Sequence, residues 1–151
     1  MVDRSLWDKN NKYTEGFLKE YNHWVLEVSY RQHTLGCYII FAKRSVEKIS
    51  ELKTEEIDEL KDVMAEIEDT LSKIDIFKPD RFNYLQLGND VHQLHFHAIP
   101  RYNLPRSFDE REWVDKTPGS VPIWSHGDAG HELVAKLRDT ILPDLPKNPR
   151  T

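Results

Sequence analysis

The chain has 151 residues, 38% hydrophobic and 31% charged, which is the composition of one domain around a single core. Lys and Arg total 21 against 26 Asp and Glu, a formal net charge of −5, and this balance argues against a general nucleic-acid binder, which shows a basic excess over a face or tail. No stretch approaches the roughly 20 apolar residues of a membrane helix, no apolar run follows a basic start, and the one cysteine, Cys37, has no partner for a disulfide. A soluble, cytoplasmic protein is expected.

The first 22 residues are polar with scattered aromatics (Trp7, Tyr13, Phe17, Tyr21) and read as a short helix or an N-terminal arm laid against the domain. From His23 to Tyr30 apolar and polar residues alternate over Trp24, Leu26, Val28 and Tyr30, the period of a half-buried strand. A connection ending at Gly36 leads to Cys37–Lys43, rich in β-branched and aromatic residues, a second strand paired with the first. From Thr54 to about Phe77, Ile57, Leu60, Met64, Ile67, Leu71 and Ile74 recur every three or four residues, as in an amphipathic helix covering one face of a sheet. Thr54 is the expected N-cap, Glu55 and Glu56 suit the positive end of the helix dipole, and Lys78-Pro79-Asp80 ends the helix.

Phe82–Leu87 and Val91–Ile99 read as two strands joined by Gly88-Asn89-Asp90, which predicts a tight antiparallel hairpin. Residues 100–127 read as irregular, with Trp113 and Trp124 as packing or loop anchors. A last helix spans Asp128 to about Leu142 with Leu133, Val134, Leu137 and Ile141 facing inward, and residues 143–151 form a C-terminal tail. The expected fold is α+β: an antiparallel sheet of about five strands, with the long helix and a C-terminal helix packed against it in one domain over residues 23–142.

Chemistry concentrates in Val91–Ile99. Strand side chains alternate between faces, so Leu94, Phe96 and Ala98 face the core while Gln93, His95 and His97 face out. Successive members of that polar row lie about 7 Å apart. Three readings compete: a solvated face that happens to hold histidines, a zinc site, and covalent catalysis by an oriented imidazole. For zinc, His95 and His97 would need a third ligand from His33, His126 or an acidic residue, and His92 points to the opposite face.

The run Gln93-Leu94-His95-Phe96-His97-Ala98-Ile99-Pro100-Arg101 resembles the signature of the histidine triad (HIT) superfamily. Asn83 on the preceding strand, the Gly88-Asn89 turn and the upstream order of strand, Leu35-Gly36 turn, strand and long helix agree with it. Phe108–Asp115 is similar to the post-motif loop of bacterial members that resemble dinucleoside polyphosphate hydrolases. Gln93 stands where the family has its first triad histidine, and His92 sits one residue early. An offset of one on a strand reverses the side-chain direction, while Gln93 keeps the polar face able to donate and accept hydrogen bonds.

The resemblance implies that His95 is the nucleophile, oriented by the backbone carbonyl of residue 93, and attacks the α-phosphorus of a dinucleoside polyphosphate or nucleoside phosphoramidate. A nucleotidyl-histidine would form and then pass to water or another acceptor. His97 would stabilise charge and act as general acid, with Gln93, Asn83 and Asn89 as neutral donors to phosphate and ribose. For the asparagines, a role only in backbone geometry stays open. The scheme requires no metal or cofactor, places the base in an apolar pocket built from the first strands and the adjoining helix, and comes with a homodimer. A nucleotide-binding sensor with little catalysis is the alternative that Gln93 keeps open.

Overall fold

The computed structural model describes residues 15–125 and 127–147. Trp7 and Tyr13 of the expected arm, His126 and the last residues of the expected tail lie outside the described residues. The described elements run in the order β1 (Phe17–Glu20), β2 (Trp24–Val28), β3 (Tyr38–Ala42), α1 (Thr54–Lys73), β4 (Arg81–Leu85), β5 (His95–Arg101), β6 (Arg106–Phe108), β7 (Arg111–Trp113) and α2 (His131–Ile141). The fold is α+β, as expected, with five strands in one antiparallel sheet ordered β1-β2-β3-β5-β4.

Every residue of β2 and β3 is buried, because both faces of the sheet's centre are covered. On one face Trp24, Leu26, Val28, Tyr38, Ile40, Phe96 and Ala98 meet Val63, Ile67 and Leu71 of α1 and the inward residues of α2. Each such aliphatic side chain contributes about 1.5–3 kcal/mol on full burial. The Trp24 indole also donates to the Glu56 carbonyl at 2.8 Å, tying the sheet to the first turn of α1. On the other face Val25, Ile39 and Phe41 form a smaller cluster, joined by Phe17 and Val91. Among the described residues no helix is long and apolar enough to cross a membrane.

Several boundaries differ from expectation. Phe17–Glu20 pairs with β2 as an edge strand instead of lying on the domain as an arm. α1 stops at Lys73, and the turn that follows carries the fully buried Phe77 to within 3.2 Å of where a side chain at Gly36 would begin. Gly36 also holds a φ of 92°, so glycine is required there on both counts. The N-cap of α1 is Lys53, with Thr54 already helical, because the Glu56 carboxylate folds back to accept the Lys53 amide at 2.8 Å while Arg44 grips it from outside.

The largest difference falls on the motif. β5 begins at His95, so residues 86–94 form a connection far longer than a tight hairpin turn. Leu94 is held just before the strand by its amide to the Val46 carbonyl at 2.7 Å and by the Ala42 amide to its own carbonyl at 3.0 Å, and the pairing of β4 with β5 ends at Leu85 opposite His97. Within residues 100–127, expected to be irregular, β6 and β7 form a small hairpin turned by Asp109 and Glu110, both in the left-handed region at φ 55° and 60°.

Candidate active site

Alternation along β5 sends Phe96 and Ala98 into the core and puts His95, His97, Ile99 and Arg101 on the opposite face. Strand register carries that face across the sheet. His95 lies opposite Phe41, which lies opposite Val25; His97 lies opposite Ile39, which lies opposite Glu27. The two histidines therefore border the smaller apolar cluster directly.

His95 is buried, only 5% exposed, rather than projecting freely from the sheet. Its Nδ1 lies 2.7 Å from the carbonyl oxygen of Gln93. A carbonyl only accepts, so this contact assigns the ring proton to Nδ1 and leaves the Nε2 lone pair unshared. Gln93 is fixed in turn, since its side-chain amide donates to the Ala42 carbonyl at the end of β3. Gln93 precedes the strand, so it reaches the site through this tether and its own carbonyl, not through strand alternation.

The His97 ring stands nearly perpendicular to that of His95, with centroids 4.9 Å apart. Beyond it lies Trp124, edge-on at 5.1 Å, and His33 stacks on Trp124 at 4.0 Å. Burial pushes the His97 imidazole down to about 4, and the neighbouring His95, His33 and Arg31 push in the same direction. His97 is thus neutral at pH 7 in the free protein.

At the far end of β5, Arg101 is fully buried and shares its guanidinium among several acceptors. Its Nε and Nη2 meet both oxygens of Asp115 at 2.7 and 3.0 Å, and Nη1 meets the Asn83 side-chain oxygen at 2.8 Å and the Ser120 carbonyl at 2.6 Å. Nη2 also reaches the Thr117 carbonyl. Burial raises the Asp115 carboxyl, but Arg101 and the amides of Tyr102 and Thr117 outweigh it and hold the group below its usual range.

The structure thus brings Gln93, His95 and His97 together. Asn83 lies on the same face opposite Ile99, with its oxygen committed to Arg101, and Asn89 is exposed in the 86–94 connection. Among the described residues no three His, Cys, Asp or Glu side chains gather as metal ligands, and His126 lies outside them. Sequence reasoning missed the apolar neighbours Val25, Ile39 and Phe41, for which the uninterrupted run Cys37–Ala42 was the available signal of a strand buried on both faces. It also missed Gln32, whose buried amide bonds Ser29, Gly36 and Cys37 and so shapes the loop that presents Arg31 and His33.

A search of curated proteins finds no match to this chain. Solved structures do match its fold. A histidine triad protein from Sinorhizobium meliloti is 18% identical, with a TM-score of 0.63 over 86% of this chain and 90% of that one. A Hit-like protein from Bartonella henselae, described as involved in cell-cycle regulation, is 18% identical with a TM-score of 0.66 over 90% of each chain. A zinc-bound histidine triad family protein from Mycobacterium smegmatis is 16% identical with a TM-score of 0.60, covering 89% of this chain and 88% of that one. At these identities the likeness is one of fold. The HIT domain itself matches residues 22–104, more than half of the sequence and the whole of the region from β2 through β5, and the chain belongs to the HIT domain family.

Proposed function

We propose that this protein cleaves nucleotide conjugates, dinucleoside polyphosphates or nucleoside phosphoramidates, at the α-phosphate through a nucleotidyl-histidine intermediate on His95. The observation that carries this is the contact of His95 Nδ1 with the Gln93 carbonyl at 2.7 Å, which puts the proton of the neutral ring on Nδ1 and makes Nε2 the nitrogen that attacks phosphorus. In the first step Nε2 forms an N–P bond as the bond from phosphorus to the leaving group breaks, and the leaving group takes up a proton. In the second step water forms a P–O bond, loses its proton, and the N–P bond breaks to release a nucleoside monophosphate and restore His95. Splitting one displacement into two is the general gain of such catalysis.

His97, next along the face, is the proton donor to the leaving group. It is neutral in the free protein, so its proton arrives with the substrate, whose phosphate charge favours the imidazolium. Gln93 serves as a catalytic positioning residue through its carbonyl, and Asn83 and Asn89 supply neutral donors to phosphate and ribose. The base lies beside the buried cluster of Val25, Ile39 and Phe41, against its partly exposed neighbours Phe17 and Val91 on the same face as the two histidines. No metal or cofactor takes part. The protein acts in the cytoplasm as a homodimer, and the half-exposed edge strand β4 supports self-association.

The test is a panel of diadenosine polyphosphates, adenosine phosphoramidate and the guanine equivalents, assayed for monophosphate release by the purified protein and by His95→Ala. Release by the wild type and loss in the variant support the proposal, and equal rates in both refute the nucleophile. The neutral His97 also favours a second reading, a nucleotide sensor, for which the panel would show binding without release. Metal analysis of the purified protein, with one zinc per chain as the positive result, would bring back the zinc site.

A further inference from the structure

The segment after the β6–β7 hairpin crosses the histidine-bearing face as a strap pinned at both ends. At one end Arg101 holds Asp115, Thr117 and Ser120. At the other, the β2–β3 connection holds Ser125 and Ala129. The Ser125 amide donates to His33 Nδ1 at 2.7 Å, Arg31 Nη1 reaches the Ser125 carbonyl at 3.4 Å, and the Ala129 amide donates to the Tyr30 carbonyl at 2.7 Å. Trp124 sits between these anchors. Its ring is stacked by His33 at an interplanar angle of 31° and set edge-on to His97 at 84°.

We propose that Trp124 is a positioning residue for His97: the strap seats its indole against the imidazole, holds that ring beside His95 and shields it from water. His97 then has aromatic neighbours on two sides, His95 at 4.9 Å and Trp124 at 5.1 Å, and cannot swing off the sheet without displacing one of them. His33 is the anchor that makes this specific. Its Nδ1 accepts an amide proton, so the ring is the tautomer with hydrogen on Nε2, and protonating Nδ1 would break the tie to Ser125. The charged and titratable groups that influence His97 are His95 on its own strand and His33 and Arg31 on the β2–β3 connection. The inference goes beyond the proposed reaction and rests on it only for the kinetic consequence.

The experiment compares Trp124→Ala, Trp124→Phe and His33→Ala with the wild type by two readouts. The first is the NMR titration of His97 in the free protein, which needs no substrate. Removing the indole exposes the imidazole, so its midpoint rises from about 4 toward the ordinary 6.5 in Trp124→Ala, and Trp124→Phe restores the low value. His33→Ala unpins the strap and gives an intermediate rise. The second is steady-state kinetics on whichever conjugate the wild type cleaves: kcat falls by about 10–100-fold in Trp124→Ala with KM little changed, as for a misplaced catalytic group. An unmoved His97 midpoint in Trp124→Ala overturns the proposal, as does kcat within twofold of wild type. If the wild type cleaves nothing, the titration alone decides this inference while the proposed reaction fails separately.

Discussion

Protonation of His97 links the geometry of the site to its pH behaviour. A group that titrates at about 4 is protonated at pH 7 in about one molecule in a thousand, and placing a proton there costs about 4 kcal/mol. One negative charge about 4 Å away contributes about 4 kcal/mol at the effective dielectric of a partly buried site. The two magnitudes match, so a single phosphate oxygen beside His97 moves its midpoint to near neutrality. The free protein pays for the low value in acid, and the sign follows from proton binding. The unfolded chain binds this proton near 6.5 and the folded chain only near 4, so the stability tied to neutral His97 is complete above about 6.5 and is lost as the pH falls toward 4. The loss has a slope of at most about 1.4 kcal/mol per pH unit and totals no more than about 3.5 kcal/mol.

Urea unfolding from pH 7 to 4.5 measures that slope directly, and His97→Asn removes it. Glu15, drawn down to about 2 by the Tyr30 hydroxyl, and Glu56, drawn down to about 2 by Arg44, act in a separate window below about 4.5. NMR titration of the His97 ring gives a midpoint near 4 in the free protein and one at least two units higher with a nucleoside monophosphate bound. A free midpoint at or above 6, or one that a bound monophosphate leaves unchanged, refutes the reasoning.

Three further outcomes follow from contacts away from the histidines. Asp115→Ala leaves the 2% exposed Arg101 charge without its carboxylate and destabilises the fold by about 3–5 kcal/mol in urea, and Arg101→Met in the same chain recovers over half of that. Gln93→Glu sets a carboxylate against the Ala42 carbonyl in place of a donor, so the rate of adduct formation, followed by quenched flow, falls at least about 10-fold and unfolding stability drops by about 1–3 kcal/mol. Trp24→Phe strands the Glu56 carbonyl in the core and lowers unfolding stability by about 1–3 kcal/mol.

Much of this was legible in the sequence because it is periodic. The three- and four-residue steps of α1, the alternation of β2, the apolar run of β3 and the alternation from His95 to Ala98 each mark an element locally, and all four elements form, although β2 is buried on both faces and Ile57 of the expected inward stripe is exposed while Val63 is buried. The start of β5 was not legible, because Leu94 is held by Val46 and Ala42, contacts made only after folding. Asn83 reads from sequence as a phosphate donor, but the engagement of its oxygen by Arg101, which leaves its amide N–H groups to donate, was not legible, because the other partners of Arg101 at Asp115, Thr117 and Ser120 come from a stretch with no periodicity. The β6–β7 hairpin is hidden for a related reason: its turn uses Asp109 and Glu110 at positive φ instead of glycine. Trp124 carried no pattern at all, and only the long-range stitching of Ser125 to His33 and Arg31 brings it to His97.

The most direct measurement is intact-protein mass spectrometry within the first turnover on a dinucleoside polyphosphate, followed by peptide mapping at neutral to alkaline pH, where a phosphorus–nitrogen bond survives. One nucleotidyl group per chain, mapped to His95 and lost on brief acid treatment, is the predicted result. Monophosphate release with no covalent adduct, or an adduct on any other residue, contradicts His95 as the attacking group.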